Sequence, residues 1–368
     1  MSNYSFTKEK ELEAFIQEGK FKKILIITGE NSFKKSGANS LFKKILKENI
    51  VDFFIKKKSY PEIKELKKII AKIKIFSPQL IIAVGGGSVL DYAKIANVLT
   101  NETNIEDKVI NASYTTNKFT KLLGIPTTAG SGAEVTTNAV IYIDNIKYSV
   151  EGPELRPDFY FLIPELVVGG SKIIKASAGF DAIAQAIESL ISKKSNKESV
   201  EFSKKSLNFS IKNYLNYLNS PNYENTSAMC FAANLSGEAI SISKTTAPHA
   251  VSYPFTSIYK ISHGHAVSLT LNKFLKFNYE NLESADCSFD LKERFKIIFA
   301  ATKTKNINEL NNFLKKIKKE ANLESNFDKL GINIKKDYEN IISGVNLLRL
   351  SNNPITLEKK NLKKIILS

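Results

Sequence analysis

Tryptophan is absent from this chain of 368 residues, and cysteine, methionine, histidine and arginine are each nearly absent. Cys230 and Cys287 are too few and too far apart in sequence for a disulfide framework or a CxxC metal site, which points to a reducing cytoplasm. No apolar run approaches the roughly 20 residues that span a bilayer. The first residues, MSNYSFTKEKELEAF, lack the apolar core of a secretory leader. Neither a membrane nor an extracellular setting is therefore expected. The formal charge of +16 would suit nucleic acid, but of 53 basic residues only Arg156, Arg294 and Arg349 are arginines. Planar, bidentate recognition of phosphate favours arginine. The lysines are scattered along amphipathic stretches such as IKELKKIIAKIK, where they coat solvated helix faces. Nucleic acid is excluded as a partner on this reading, and the charge is left to steer anionic small molecules.

Histidine is as sparse, and its placement is not. All three, His249, His263 and His265, fall in one 17-residue window within TTAPHAVSYPFTSIYKISHGHAV. Imidazole is a common ligand of catalytic divalent metals and titrates near neutrality. Clustering by chance is the alternative, and the motifs upstream decide between them.

At 41.1 kDa and a mean hydropathy of −0.17, the chain is globular and long enough for two domains. Residues 1–165 alternate short apolar runs with lysine-rich helical spacing. ILIIT (24–28), VDFFI (51–55), LIIAVG (80–85) and KLLGIP (121–126) read as buried strands, with AVIYI and FYFLIP as edge or hairpin strands. This alternation predicts an α/β domain built on a parallel sheet. Residues 166–368 are dominated by helical patterns, including AGFDAIAQAIESLIS and ESVEFSKKSLNFSIKNYLNYL, and are expected to form an all-α domain, with a ligand cleft between the two.

Three further segments carry chemistry. AVGGGSVLDYAK sets Gly85, Gly86 and Gly87 between a strand and a helix opened by Ser88, with Asp91 and Lys94 on its first turns. Such a turn either makes a tight strand-to-helix connection or presents free N–H groups to a pyrophosphate. GIPTTAGSGAEVTTNAVI is a second small-residue loop, offering Thr127, Thr128 and Ser131 as donors and Glu134 as its one charge. In AGFDAIAQAIES, Asp181 and Gln185 are four apart and share a helix face. Asp181 among small apolar residues is either a helix N-cap or a buried carboxylate that needs a cation.

Taken in this order, GGGSVLDYAK, PTTAGSGAE, GFDAIAQAIE and PHAVSYPFTSIYKISHGHA resemble the iron-containing (group III) alcohol dehydrogenase family over essentially the whole chain. The resemblance implies a Rossmann-like N-terminal dinucleotide-binding domain and an all-α C-terminal domain, in a dehydroquinate synthase-like architecture. It implies a divalent metal, Fe2+ or Zn2+, and hydride exchange between NAD(P)H and a carbonyl or alcohol carbon. On this mapping the metal ligands are Asp181, Gln185, His249 and His263, with Gln185 standing where relatives carry histidine. The mapping also makes Tyr253 and His265 catalytic, Tyr253 standing where many relatives carry a histidine beside the nicotinamide. Gly85, Gly86, Gly87, Ser88, Asp91, Thr127, Thr128, Ser131 and Lys147 would contact the cofactor. So would Gly29 and Ser32, in a stretch ITGENSFKKSG that favours NADP(H) over NAD(H), with Lys34 near a 2′-phosphate and Glu30 opposing.

Within the family the chain is most similar to the phosphonoacetaldehyde reductase branch. That implies reduction of phosphonoacetaldehyde to 2-hydroxyethylphosphonate, with Lys244, Thr245 and Thr246 close in sequence to His249. A general short-chain alcohol dehydrogenase and a dehydroquinate synthase-like lyase are the alternatives. Relatives imply a homodimer.

Overall fold

The computed structural model describes residues 9–144 and 146–367. Residues 1–8, part of the stretch on which the expectation about a secretory leader rests, lie outside them. Contacts group these residues into two compact units, 1–128 with 132–170 and 129–131 with 171–368.

The first unit is built on five parallel strands: β1 (Lys23–Gly29), β2 (Ile50–Lys56), β3 (Leu80–Gly85), β4 (Lys121–Pro126) and β7 (Phe159–Tyr160), in the order β2-β1-β3-β4-β7. Strict alternation divides each strand between two cores. Leu25, Ile27, Ile81, Ala83 and Leu122 face one, while Ile24, Ile26, Leu80, Ile82, Val84, Leu123 and Ile125 face the other. Both faces are buried, so β3 is apolar throughout, as a central strand covered by helices must be. β2 lies at the sheet edge and leaves Ile50, Phe53 and Ile55 exposed. AVIYI behaves differently from the main strands: as β5 (Asn138–Ile143) it pairs antiparallel with β6 (Ile146–Glu151) in a separate two-stranded sheet. FYFLIP supplies only the two residues of β7, paired to β4.

Strand order reverses between β1 and β3, because β1 is followed outward by β2 while β3 pairs on its other side. Their register sets Thr28 beside Val84, so Gly29 and Gly85 end neighbouring strands. In open parallel sheets, ligands bind beyond the carboxyl ends of the strands at such a reversal.

The second unit is helical among the described residues. At its centre lies the helix Lys172–Ile191, packed against the helices Lys197–Asn219, Tyr223–Ser243 and His263–Ser268. From Lys175 onward only Ala178 is not fully buried, as expected for a helix surrounded by neighbours. Its small residues let those neighbours approach closely. A Cβ on Gly179 would meet Tyr214 at 2.8 Å, and the Tyr214 hydroxyl donates to Ala176 O (2.7 Å). No helix among the described residues is long and apolar enough to cross a membrane.

Candidate functional site

Asp181 sits ten residues into the central helix, so it is no N-cap. It is 4% exposed, and burial of a carboxylate at that depth requires compensation. His249, from the helix Ala247–Tyr259, presents Nε2 to Asp181 Oδ1 at 3.3 Å. His263 opens the next helix, and its ring stands edge-on to His249 with centroids 5.3 Å apart. One ligand atom from each of Asp181, His249 and His263 lies within 4.8 Å of the others.

These donors suit a divalent cation. Zinc and similar ions sit about 2.0–2.2 Å from imidazole nitrogen and carboxylate oxygen, which places neighbouring donors roughly 3–4 Å apart. His249 Nε2 is buried and makes no hydrogen bond among the described residues, as an atom reserved for a metal would be.

The partner of His249 on its other side was not anticipated. Glu188 is fully buried, and its Oε1 accepts from His249 Nδ1 at 2.5 Å. Its Oε2 accepts from both the backbone N–H and the hydroxyl of Thr246, at 2.8 and 2.9 Å. A carboxylate on Nδ1 fixes the imidazole tautomer and leaves Nε2 as the donor atom. Burial by itself would keep His249 neutral, but Glu188 and Asp181 outweigh it and push the pKa up to about 9. Replacing Glu188 by Gln is expected to weaken divalent-metal affinity by about 10–100-fold with the fold intact, as read by metal titration and circular dichroism. An unchanged affinity would reduce Glu188 to a packing role.

The other expected site residues divide. Gln185 does not turn its amide oxygen to the cluster. Oε1 accepts from Ser236 Oγ (2.9 Å), while Nε2 is directed at Asp181 Oδ2 (3.3 Å) and Ser131 O (3.4 Å). The amide oxygen thus faces the Ser236 hydroxyl, whose one proton is also within reach of Ala233 O (2.9 Å), and not the cluster. Gln185→His is therefore expected to raise metal affinity at least about tenfold, measured by competition with a chelator.

His265 also departs from expectation. Its Nε2 donates to Glu324 O at 2.7 Å and its backbone N–H to Ser177 Oγ at 3.1 Å. Two residues along a helix from His263, its ring is turned to another side and supports the Glu324 segment. Thr246 is committed to Glu188, and Thr245 is buried with its carbonyl accepting from Asn352 (2.9 Å), so neither lies at the surface. Lys244 is the C-cap of Tyr223–Ser243, with a left-handed φ of 61°. Tyr253 is 6% exposed, stacks on His263 (5.8 Å, 16°) and is hydrogen-bonded by Arg349. Burial pushes its phenol above the usual range, so it stays protonated near neutrality.

In the first unit, the helix Gly87–Val98 begins one residue earlier than Ser88, with Gly86 as an extended N-cap and no side-chain cap. A Cβ on Gly85 would meet Val89 at 2.5 Å, which is why the turn needs glycine there. Gly86, Gly87, Ser88 and Thr128 are partly accessible, and Thr127 N–H donates to Gly85 O (3.0 Å), tying the two small-residue loops together. Asp91 Oδ2 accepts from Val140 N–H (3.2 Å). Burial pushes its carboxyl up to about 6 against the lowering influence of Lys94 and Lys147. Lys94 itself is fully buried, donating to Ala133 O, Thr136 Oγ1 and Asn138 O. Ser32 Oγ donates back to Gly29 O (3.1 Å), and Lys34 pairs with Glu30 at 3.8 Å.

Comparison with known proteins adds an independent line. Residues 3–164 match the iron-containing alcohol dehydrogenase family model, and residues 175–368 match that of the C-terminal region of the Fe-containing alcohol dehydrogenase family. Phosphonoacetaldehyde reductase of Streptomyces viridochromogenes is 31% identical over 228 residues, covering 59% of this chain and 57% of that protein. The 4-hydroxybutyrate dehydrogenase of Clostridium kluyveri is 29% identical over 205 residues, 54% of this chain and 55% of that protein. The chain thus spans just over half the length of these curated relatives. The structure of sulfoacetaldehyde reductase from Bifidobacterium kashiwanohense, in complex with NAD+, superposes with a TM-score of 0.86 at 23% identity. That match covers 99% of this chain and 95% of the other.

Proposed function

Because the chain belongs to the iron-containing alcohol dehydrogenase family, we propose that it is a metal-dependent NAD(P)H oxidoreductase. It reduces a small aldehyde to the primary alcohol, with phosphonoacetaldehyde and 2-hydroxyethylphosphonate as the preferred pair. The observation that carries this reading is the convergence of Asp181, His249 and His263 within 4.8 Å of one another. The choice of aldehyde draws on the 31% identity to a phosphonoacetaldehyde reductase.

Asp181, His249 and His263 would hold the cation, Fe2+ or Zn2+, and the turn Gly85–Ser88 would hold the dinucleotide pyrophosphate on the free N–H groups of its helix. The chemistry these groups supply when bound is Lewis-acid polarisation of a carbonyl and a hydride. The residues of the chain do the remaining work. Glu188 holds one proton of His249 on Nδ1, so that Nε2 is the atom that would give up its proton to bind. Tyr253 retains a proton at its hydroxyl beside Arg349 and can donate a hydrogen bond to a substrate oxygen. We read the dinucleotide as NADP(H) ahead of NAD(H), because Gly29 offers no side-chain carboxylate to a ribose and Glu30 is balanced by Lys34.

Metal analysis of the purified protein, together with NADPH and NADH oxidation against an aldehyde panel, tests the reading. Turnover of phosphonoacetaldehyde by the metal-loaded protein is the expected result. A metal-loaded protein that oxidises neither dinucleotide with any aldehyde would overturn it.

A further inference from the structure

Arginine is used three times in this chain among 53 basic residues, so each use asks for a reason that lysine does not meet. Arg294 lies over the Phe289 ring at 4.5 Å, a stacking role suited to a planar guanidinium. Arg349 is placed differently. It sits on the short turn Leu347–Leu350, 86 residues beyond His263 in sequence. Both ends of that turn are tied to the helix carrying His249 and Tyr253, or to the residues just before it. Asn346 N–H donates to Ala250 O at 3.3 Å, and Asn346 Oδ1 caps the Arg349 N–H at 2.9 Å. Asn352 Nδ2 donates to Ser243 O and Thr245 O, each at 2.9 Å. The arginine is thereby held over the Tyr253 side of the metal cluster. Its guanidinium hydrogen-bonds the Tyr253 hydroxyl, and the Tyr253 ring stacks on His263. Like His263 it is partly accessible, whereas Asp181 and His249 are buried.

The geometry points to Arg349 as the residue that selects the substrate: it binds the anionic end of an aldehyde whose carbonyl lies at the Asp181–His249–His263 cluster. This rests on the oxidoreductase reading above. Asp181 and Glu188 both face His249, and Arg349 is the cation that acts on the Tyr253 hydroxyl. A guanidinium has five donors in one plane and can hold a tyrosyl oxygen and an oxyanion together. Its fork fits phosphonate, sulfonate or carboxylate through paired hydrogen bonds, whereas an ammonium offers a point charge. Substrates of this class carry a negative terminus one or a few carbons from the aldehyde.

The test uses the full-length, metal-loaded protein with dinucleotide bound. Calorimetric titrations with 2-hydroxyethylphosphonate and with 1-propanol compare wild type, Arg349→Ala, Arg349→Lys and Tyr253→Phe. The wild type is expected to prefer the anionic alcohol. Arg349→Ala should weaken that ligand by about 10–100-fold while 1-propanol weakens less than about threefold. Arg349→Lys should fall between, and Tyr253→Phe should keep the preference for the anion. An equal loss for both alcohols in Arg349→Ala would mean the arginine merely supports Tyr253, and would overturn the proposal. So would a wild type that binds both alike, or an alanine variant that loses nothing. The same variants assayed with phosphonoacetaldehyde and propanal separate the two readings. A wild type that selects the anionic alcohol but turns over no aldehyde sinks the oxidoreductase assignment and leaves the role of Arg349 standing.

Discussion

A His249→Ala variant is expected to lose its divalent metal on dialysis and to turn over aldehyde at least about a thousandfold more slowly than wild type. A bound cation acting as Lewis acid is worth several kcal/mol of transition-state stabilisation, and each 1.4 kcal/mol or so is a factor of ten in rate. With His249 gone, Asp181 and His263 supply two donors, too few for a stable site. The substitution also strands Glu188, whose Oε1 faces the imidazole from a fully buried position. An uncompensated buried carboxylate costs about 3–5 kcal/mol, so the single variant should also melt earlier. The double variant His249→Ala/Glu188→Gln separates the two effects, because the neutral amide removes the stranded charge. It should recover most of the lost stability in a denaturant titration and none of the metal, measured by elemental analysis. Metal retained by the single variant at wild-type stoichiometry would remove His249 from the ligand set.

Gly264→Ala should do comparable damage without touching a ligand. A Cβ at this position would stand 2.0 Å from Ser177 O and 2.8 Å from Asp181 Cβ. Neither contact can be relieved by a side-chain rotation, since one partner is backbone and the other is the root of the Asp181 side chain. Gly264 is not among the left-handed residues, so its requirement is space and not backbone freedom. The helix His263–Ser268 would have to back away from Lys172–Ile191, carrying His263 away from Asp181. Overpacking of this kind costs about 3 kcal/mol. Metal affinity should fall roughly 100-fold through displacement of one ligand in three. Chemical denaturation and metal titration give the two numbers. A variant of wild-type stability and affinity would show that the two helices do not depend on this contact.

The main elements were legible for a simple reason. In the parallel sheet both faces are covered, so β1, β3 and β4 stand out as short apolar runs ended by glycine or proline. The histidine window also announced itself, because a residue used three times in 368 is conspicuous where it gathers. Glu188 was missed although a signal existed: Asp181, Gln185 and Glu188 fall at i, i+4 and i+7 on one helix face. His265 was over-read for the converse reason, since two residues after His263 on a helix is the wrong spacing to share its face. Gln185 was weighed as a ligand through its oxygen, and no reading of the chain alone could know that Ser236, 51 residues later, would face that oxygen. Arg349 lay beyond reach in the same way, as a lone arginine in a lysine-rich tail.

Periodicity and residue scarcity are properties of the chain, and they were enough to determine two kinds of architecture, a glycine-bounded parallel sheet and a buried aspartate helix followed by paired imidazoles. Which nitrogen of His249 faces Asp181, which way the Gln185 amide turns, and which cation lies beside Tyr253 were decided only on folding. Each depends on a hydrogen-bond partner brought in from a distant segment, and a donor or acceptor a few ångströms away in space leaves no trace in the local order of residues.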